Sequence, residues 1–76
     1  MNIIFSDHAA EQIKSRKIPR KRIIDTIKKP QKKINSFKNR MLRQRQFGSK
    51  ILEAVTITEG SKITVITAYY LEENEN

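Results

Sequence analysis

The chain has 76 residues, no cysteine, a single histidine and a formal net charge of +8. That length supports one small domain, whose folding buries roughly 60% of the surface the unfolded chain exposes. The composition excludes a disulfide framework, a thiolate metal site and a histidine-rich zinc site, and no apolar run approaches the ~20 residues of a membrane span. The expectation is a soluble, cytoplasmic protein with one domain over residues 1–71 and a disordered acidic tail over 72–76.

Residues 1–5 are short and apolar, and suit either a place under the first helix or an edge strand. Ser6 and Asp7 are both good N-cap residues, and the spacing that follows predicts a helix over about 7–17. His8, Gln12, Ser15 and Arg16 then share one helix face. His8 and Arg16 stand about 12 Å apart along the axis, as the two ends of one groove would. Pro19 suits the first position of a second helix, in which Ile23, Ile24 and Ile27 form an apolar stripe. That helix closes at Lys29, because the residue before Pro30 leaves the helical region. Together the two make a helical hairpin.

After Pro30 the hydrophobic period drops from about 3.6 to 2. Residues 33–37 read as a short strand. Residues 40–47 read as a second, with Met41, Arg43, Arg45 and Phe47 on one side. Gly48-Ser49 is a hairpin signal, and the β-branched run over 51–58 reads as a central strand. After Glu59-Gly60-Ser61, residues 62–71 form the last strand. The expected fold class is α+β: an N-terminal helical hairpin packed on a four-stranded antiparallel sheet, in the order ααββββ. Both sheet faces carry apolar residues. One must pack on the helices, and the other is either a half-open concave surface or a homodimer contact.

Charge is concentrated in the middle of the chain. Between Lys14 and Lys50 lie fifteen basic residues and one acid, Asp25, a local charge of +14. This is the electrostatic footprint of a protein that meets phosphate backbones, RNA or alternatively DNA. The plainer reading is a lysine-rich solvated surface. Arg43, Arg45, Lys14, Lys32, Lys33 and Arg40 are the candidate nucleic-acid-binding residues.

The sequence contains no phosphate-binding glycine loop, paired catalytic carboxylates, serine triad or metal-ligand cluster, and no cofactor is expected. What remains is His8, Arg16, Arg43, Arg45, Thr67, Tyr69 and Tyr70. This set suits cleavage of RNA through the 2′-hydroxyl, which needs proton transfer at two oxygens and cations around the charged phosphorane. Histidine transfers protons near neutral pH, arginine grips phosphate bidentately, and a Tyr or Thr hydroxyl orients it. Each residue also has a bland reading. A histidine near a helix start is commonly structural or exposed, paired strand arginines commonly coat an edge, and one of Tyr69 and Tyr70 belongs to the core because they face opposite ways.

The pattern H-A-x(6)-R-x-I from His8 to Ile18, the short second helix ending at Pro30 and the terminal V-I-T-A-Y from Val65 to Tyr69 resemble a small prokaryotic family of unknown function. Its members read H-A…R-G-I…V-T-x-Y, and it lies near the RelE- and BrnT-like toxins of the barnase–EndoU–colicin–RelE fold, many of them metal-independent ribonucleases. The resemblance spans residues 8–70. It implies His8, Arg16, Thr67 and Tyr69 as the catalytic signature positions, with Arg43 or Arg45 as the strand arginine. The chain departs from the pattern at Lys17, where the family carries glycine, and at Pro19, where a small cap residue is common.

The reading that unites these features is a metal-independent endoribonuclease, the toxin of a toxin–antitoxin pair held by an acidic antitoxin. In it His8 transfers the proton, Arg16, Arg43 and Arg45 bind phosphate, and Thr67 and Tyr69 orient it. The rivals are a non-catalytic RNA- or DNA-binding module and a protein-interaction domain with an acidic partner.

Overall fold

A computed structural model describes residues 2–71 of the chain. Among them, seven elements run in the order β1 (Asn2–Phe5), α1 (Asp7–Arg16), α2 (Arg20–Lys28), β2 (Lys32–Asn35), β3 (Arg40–Phe47), β4 (Lys50–Glu59) and β5 (Lys62–Tyr70). The expected acidic tail over 72–76 lies outside the described residues. No helix among the described residues is long and apolar enough to cross a membrane.

The fold is α+β, but the expected four-stranded antiparallel sheet becomes a five-stranded mixed one, ordered β1-β5-β4-β3-β2. The opening apolar stretch supplies the extra strand. It runs parallel to β5 with Asn2 opposite Lys62 and Phe5 opposite Val65, while the other neighbours are antiparallel. Two gains combine there: the backbone of β1 satisfies part of an otherwise open β5 edge, and Ile3 and Phe5 pack against the core. The helical hairpin is also modified. α1 packs along β5, whereas α2 packs across β3 and β4, so the sheet anchors each helix more than the other helix does.

Local chemistry sets the element ends. Ser6 caps α1, its hydroxyl accepting from the Ala9 amide at 3.0 Å. At the other end Lys17 takes the left-handed conformation (φ 57°, ψ 42°). Its amide reaches the Lys14 carbonyl at 3.2 Å, and the Ile18 amide reaches the Ile13 carbonyl at 3.0 Å. This is a Schellman closure, completed by the buried pair Ile13 and Ile18. Pro19, with ψ 134°, sits just outside α2 as its N-cap instead of at its first helical position. Two-residue loops, Gly48-Ser49 and Gly60-Ser61, join β3 to β4 and β4 to β5. In each, the glycine alone has positive φ, at 64° and 62°, as a type II′ hairpin turn requires.

Ile13, Ile18, Ile23 and Ile27 from the helical segment bury against Leu52, Ala54, Ile63, Val65 and Ala68 of the sheet. Strict alternation along β5 cannot put both Val65 and Ala68 on that face. A β-bulge resolves the conflict: Thr56 pairs with Val65 but Val55 pairs with Thr67, leaving Ile66 as the extra residue. The bulge also turns Thr67 and Tyr69 onto the face away from the helices.

Candidate functional site

α1 begins where β1 ends, so it flanks the part of β5 that β1 is too short to cover. Arg16 lies at this seam. Its Nη1 donates to the Ala68 carbonyl at 2.8 Å, to Thr67 Oγ1 at 3.3 Å and to Gln12 Oε1 at 3.4 Å. The Thr67 hydroxyl in turn donates to Gln12 Oε1. All of these guanidinium bonds pass through one nitrogen. Nε and Nη2 of Arg16 make no hydrogen bond among the described residues, so a fork of donors remains for a ligand.

Two residues further along β5, the Tyr69 hydroxyl donates to Glu53 Oε2. Gln44 Nε2 holds the other carboxylate oxygen at 2.6 Å. Tyr69 and Gln44 are the cross-strand partners of Glu53 on either side, so sheet register alone builds this row. Glu53 is only 6% exposed, and a carboxylate so placed requires such donors. Burial, the bond to Glu53 and its negative charge push Tyr69 up to about 12, with Arg16 pulling the other way. Tyr69 therefore keeps its proton at physiological pH, and its hydroxyl is a fixed, oriented group.

Arg16 meets Thr67 directly, and Tyr69 lies two residues further along β5 on the same face. His8 lies two turns before Arg16 on the same helix stripe; it is exposed and makes no side-chain hydrogen bond among the described residues. Arg43 and Arg45 go elsewhere. Their cross-strand partners are Ala54 and Leu52, which are core residues, so both arginines project to the helix-covered face, opposite Tyr69 and Glu53. Arg43 Nη1 donates to the Ile27 carbonyl at 3.1 Å, and its Nε and Nη2 reach Thr56 and Thr58 at 3.2 and 3.5 Å. Arg45 Nη1 donates to the Lys29 carbonyl at 2.8 Å. The pair thus closes the C-terminal end of α2, where cations are favoured. Burial lowers the pKa of Arg43, though a guanidinium stays charged in a protein.

Of the other candidate contacts, Lys32 lies opposite Gln44 on the open face, and Lys33 opposite Arg43 on the helix side. Arg40 stands across from Ile57, and its Nε is buried without a hydrogen-bond partner among the described residues. Lys14 borders a depression of about 430 Å³ with Ala10, Ile13, Ile18 and Arg20, away from Thr67 and Tyr69. No group of three His, Asp or Glu among the described residues is placed to hold a metal ion.

Sequence reasoning passed over Glu53 and Gln44. The signal was present: Glu53 is a lone acid inside an apolar, β-branched central strand, where a carboxylate calls for partners on the neighbouring strands.

A family model described as "Domain of unknown function (DUF4258)" matches residues 5–70, so the chain belongs to that family. No curated protein and no solved structure matches the chain.

Proposed function

We propose that this DUF4258 member is a metal-independent endoribonuclease related to the RelE- and BrnT-like toxins, acting on cytoplasmic RNA as the toxin of a toxin–antitoxin pair. The observation that carries the reading is Arg16: Nη1 is tied to Thr67 and Ala68 while Nε and Nη2 remain open beside Tyr69, on the helix stripe that begins with His8. A scissile phosphate gripped by that fork lies between the histidine and the two hydroxyls. His8 takes the 2′-hydroxyl proton, the 2′-oxygen attacks phosphorus, and the bond to the 5′-oxygen breaks. The leaving oxygen takes a proton from water, and the products are a 2′,3′-cyclic phosphate and a 5′-hydroxyl. Arg16 meets the charge that grows on the phosphoryl oxygens, and Thr67 and Tyr69 orient them once their hydroxyl protons turn from Gln12 and Glu53 to the phosphate. An acidic antitoxin would cover the basic segment.

The non-catalytic binding module is kept as a second reading because no protein group among the described residues fixes the His8 imidazole. The test is incubation of total RNA with purified protein in EDTA, beside His8→Ala and Arg16→Ala proteins prepared identically. The expected result is cleavage in EDTA that falls by about 100-fold or more in each variant. Equal cleavage by all three proteins would remove His8 and Arg16 from the site. Bound but intact RNA would favour the binding module.

A further inference from the structure

Among the described residues, Lys28, Lys29, Lys32 and Arg45 lie on the β2 side of the sheet, near the start of β2 and the end of β3, with no ion-pair partner. Two depressions adjoin there. One, of about 330 Å³, lies on the helix side between α2 and β3, lined by Lys21, Asp25, Lys28, Lys29, Arg45 and Phe47. The other, of about 150 Å³, lies beyond the strand edge and is lined in part by Lys32, Gln44 and Arg45. Arg45 borders both, so the two form one path around the edge of β3. Gln44 ends that path at the candidate site, because it is the residue that holds Glu53 at 2.6 Å.

Asp25 is the one acid among the described residues that lines this path, against five cations. Asp25 is taken by Lys21 at 3.2 Å, and the other ion pair among the described residues joins Lys62 to Glu59. Lys28, Lys29, Lys32 and Arg45 therefore face the two depressions with no carboxylate partner among the described residues. Arg45 is held by the Lys29 carbonyl through Nη1 alone, which leaves donors on the path side. Four like charges so close repel one another unless a polyanion lies among them.

We propose that this path is a phosphate track for single-stranded RNA, leading from the Glu53–Tyr69 site past Gln44 and Lys32, around Arg45, to Lys28 and Lys29. Its starting point rests on the nuclease reading. The class of ligand follows from shape: the track turns around a sheet edge, which a duplex, stiff over about 150 base pairs, does not follow and a single strand does. Lysines and an arginine lining the path without base-edge donors in a fixed array grip phosphates whatever the sequence.

The experiment measures binding of the full chain to 2′-O-methyl oligoribonucleotides, which cannot be cleaved through the 2′-hydroxyl. Fluorescence anisotropy compares lengths of about 4 and about 12 nucleotides. The track variant is Lys28→Ala/Lys29→Ala/Lys32→Ala; an equal loss of charge off the track is Lys17→Gly/Lys38→Ala/Lys62→Ala. The expected result is that the track variant loses about tenfold or more in affinity for the long oligomer and under about twofold for the short one. Its slope of log affinity against log salt becomes shallower by about 2, at roughly 0.7 per lost single-strand contact. Equal losses from the two triple variants, or equal losses at both lengths, would overturn the track. So would unchanged affinity in the track variant, which would turn those lysines toward an acidic protein instead. A length-dependent loss in a protein that fails to cleave total RNA would uphold the track and remove the nuclease.

Discussion

Arg16 and Arg43 carry the same side chain, and their hydrogen bonds separate their roles. Arg43 engages protein through Nε, Nη1 and Nη2, whereas Arg16 does so through Nη1 alone. The first is a structural cap and the second a tethered fork with open donors. Tyr69 shows what the buried carboxylate does. A tyrosine whose pKa is raised in the folded chain contributes stability that is fully present below its unfolded pKa, near 10, and is lost as pH rises through the folded value, about 12. Urea unfolding of the wild type should therefore lose a component between pH 10 and 12 that Tyr69→Phe lacks. The tyrosinate absorbance that disappears in Tyr69→Phe should be the portion rising near pH 12. A wild type and variant with parallel stability curves across that window would mean that Glu53 does not hold the hydroxyl. The contact of Arg16 with Thr67 joins two residues that the sequence pattern singles out, because that pattern depends on the sequence alone. Glu53 shows in the sequence only as a lone acid in an apolar strand, and which residues hold it depends on which strands flank β4.

At the scale of elements, β3 follows the period-2 pattern to its ends and the other strands after Pro30 shift by a residue or two, because alternation and turn chemistry are local. The partner of β1 was not legible: a four-residue apolar strand does not say which edge it joins. Neither was the bulge, since Val65-Ile66-Thr67-Ala68-Tyr69 reads as an unbroken strand until the core has to accept both Val65 and Ala68. Lys17 is the left-handed residue of the Schellman closure, a position that favours glycine, and it places a β-carbon there at φ 57°. An L-residue is disfavoured in that conformation, and Arg16 sits immediately before it. Lys17→Gly should stabilise the domain by about 1 kcal/mol, read as a higher urea midpoint with unchanged m-value. A lower midpoint would mean that the lysine side chain contributes a contact that outweighs the strain.

Across the whole molecule, the helices cover one face of the sheet and leave the other to Tyr69, Glu53, Gln44 and their apolar neighbours. The basic residues divide in a way net charge does not reveal. Arg20 and Arg22 stack over Phe5 and Phe47 at 4.6 and 5.1 Å, Arg43 and Arg45 close α2, and the lysines remain in solvent. The arginines thus help hold the fold together, and the lysines supply most of its long-range field. Like-charged lysines at +8 overall destabilise the compact state by self-repulsion. Salt screens that repulsion as the Debye length falls from about 30 Å at 0.01 M to about 8 Å at 0.15 M. The same screening weakens any grip on phosphate. Stability and RNA affinity should therefore respond to salt with opposite signs: between those two ionic strengths the urea midpoint rises while oligoribonucleotide affinity drops by at least about tenfold. A midpoint that falls with salt would show that surface ion pairs such as Lys21–Asp25 outweigh the lysine repulsion. An affinity that does not move would place the contact surface outside the basic segment. Opposite responses in one titration would mean that the lysines are kept at the expense of stability, as expected of charges selected to meet a polyanion.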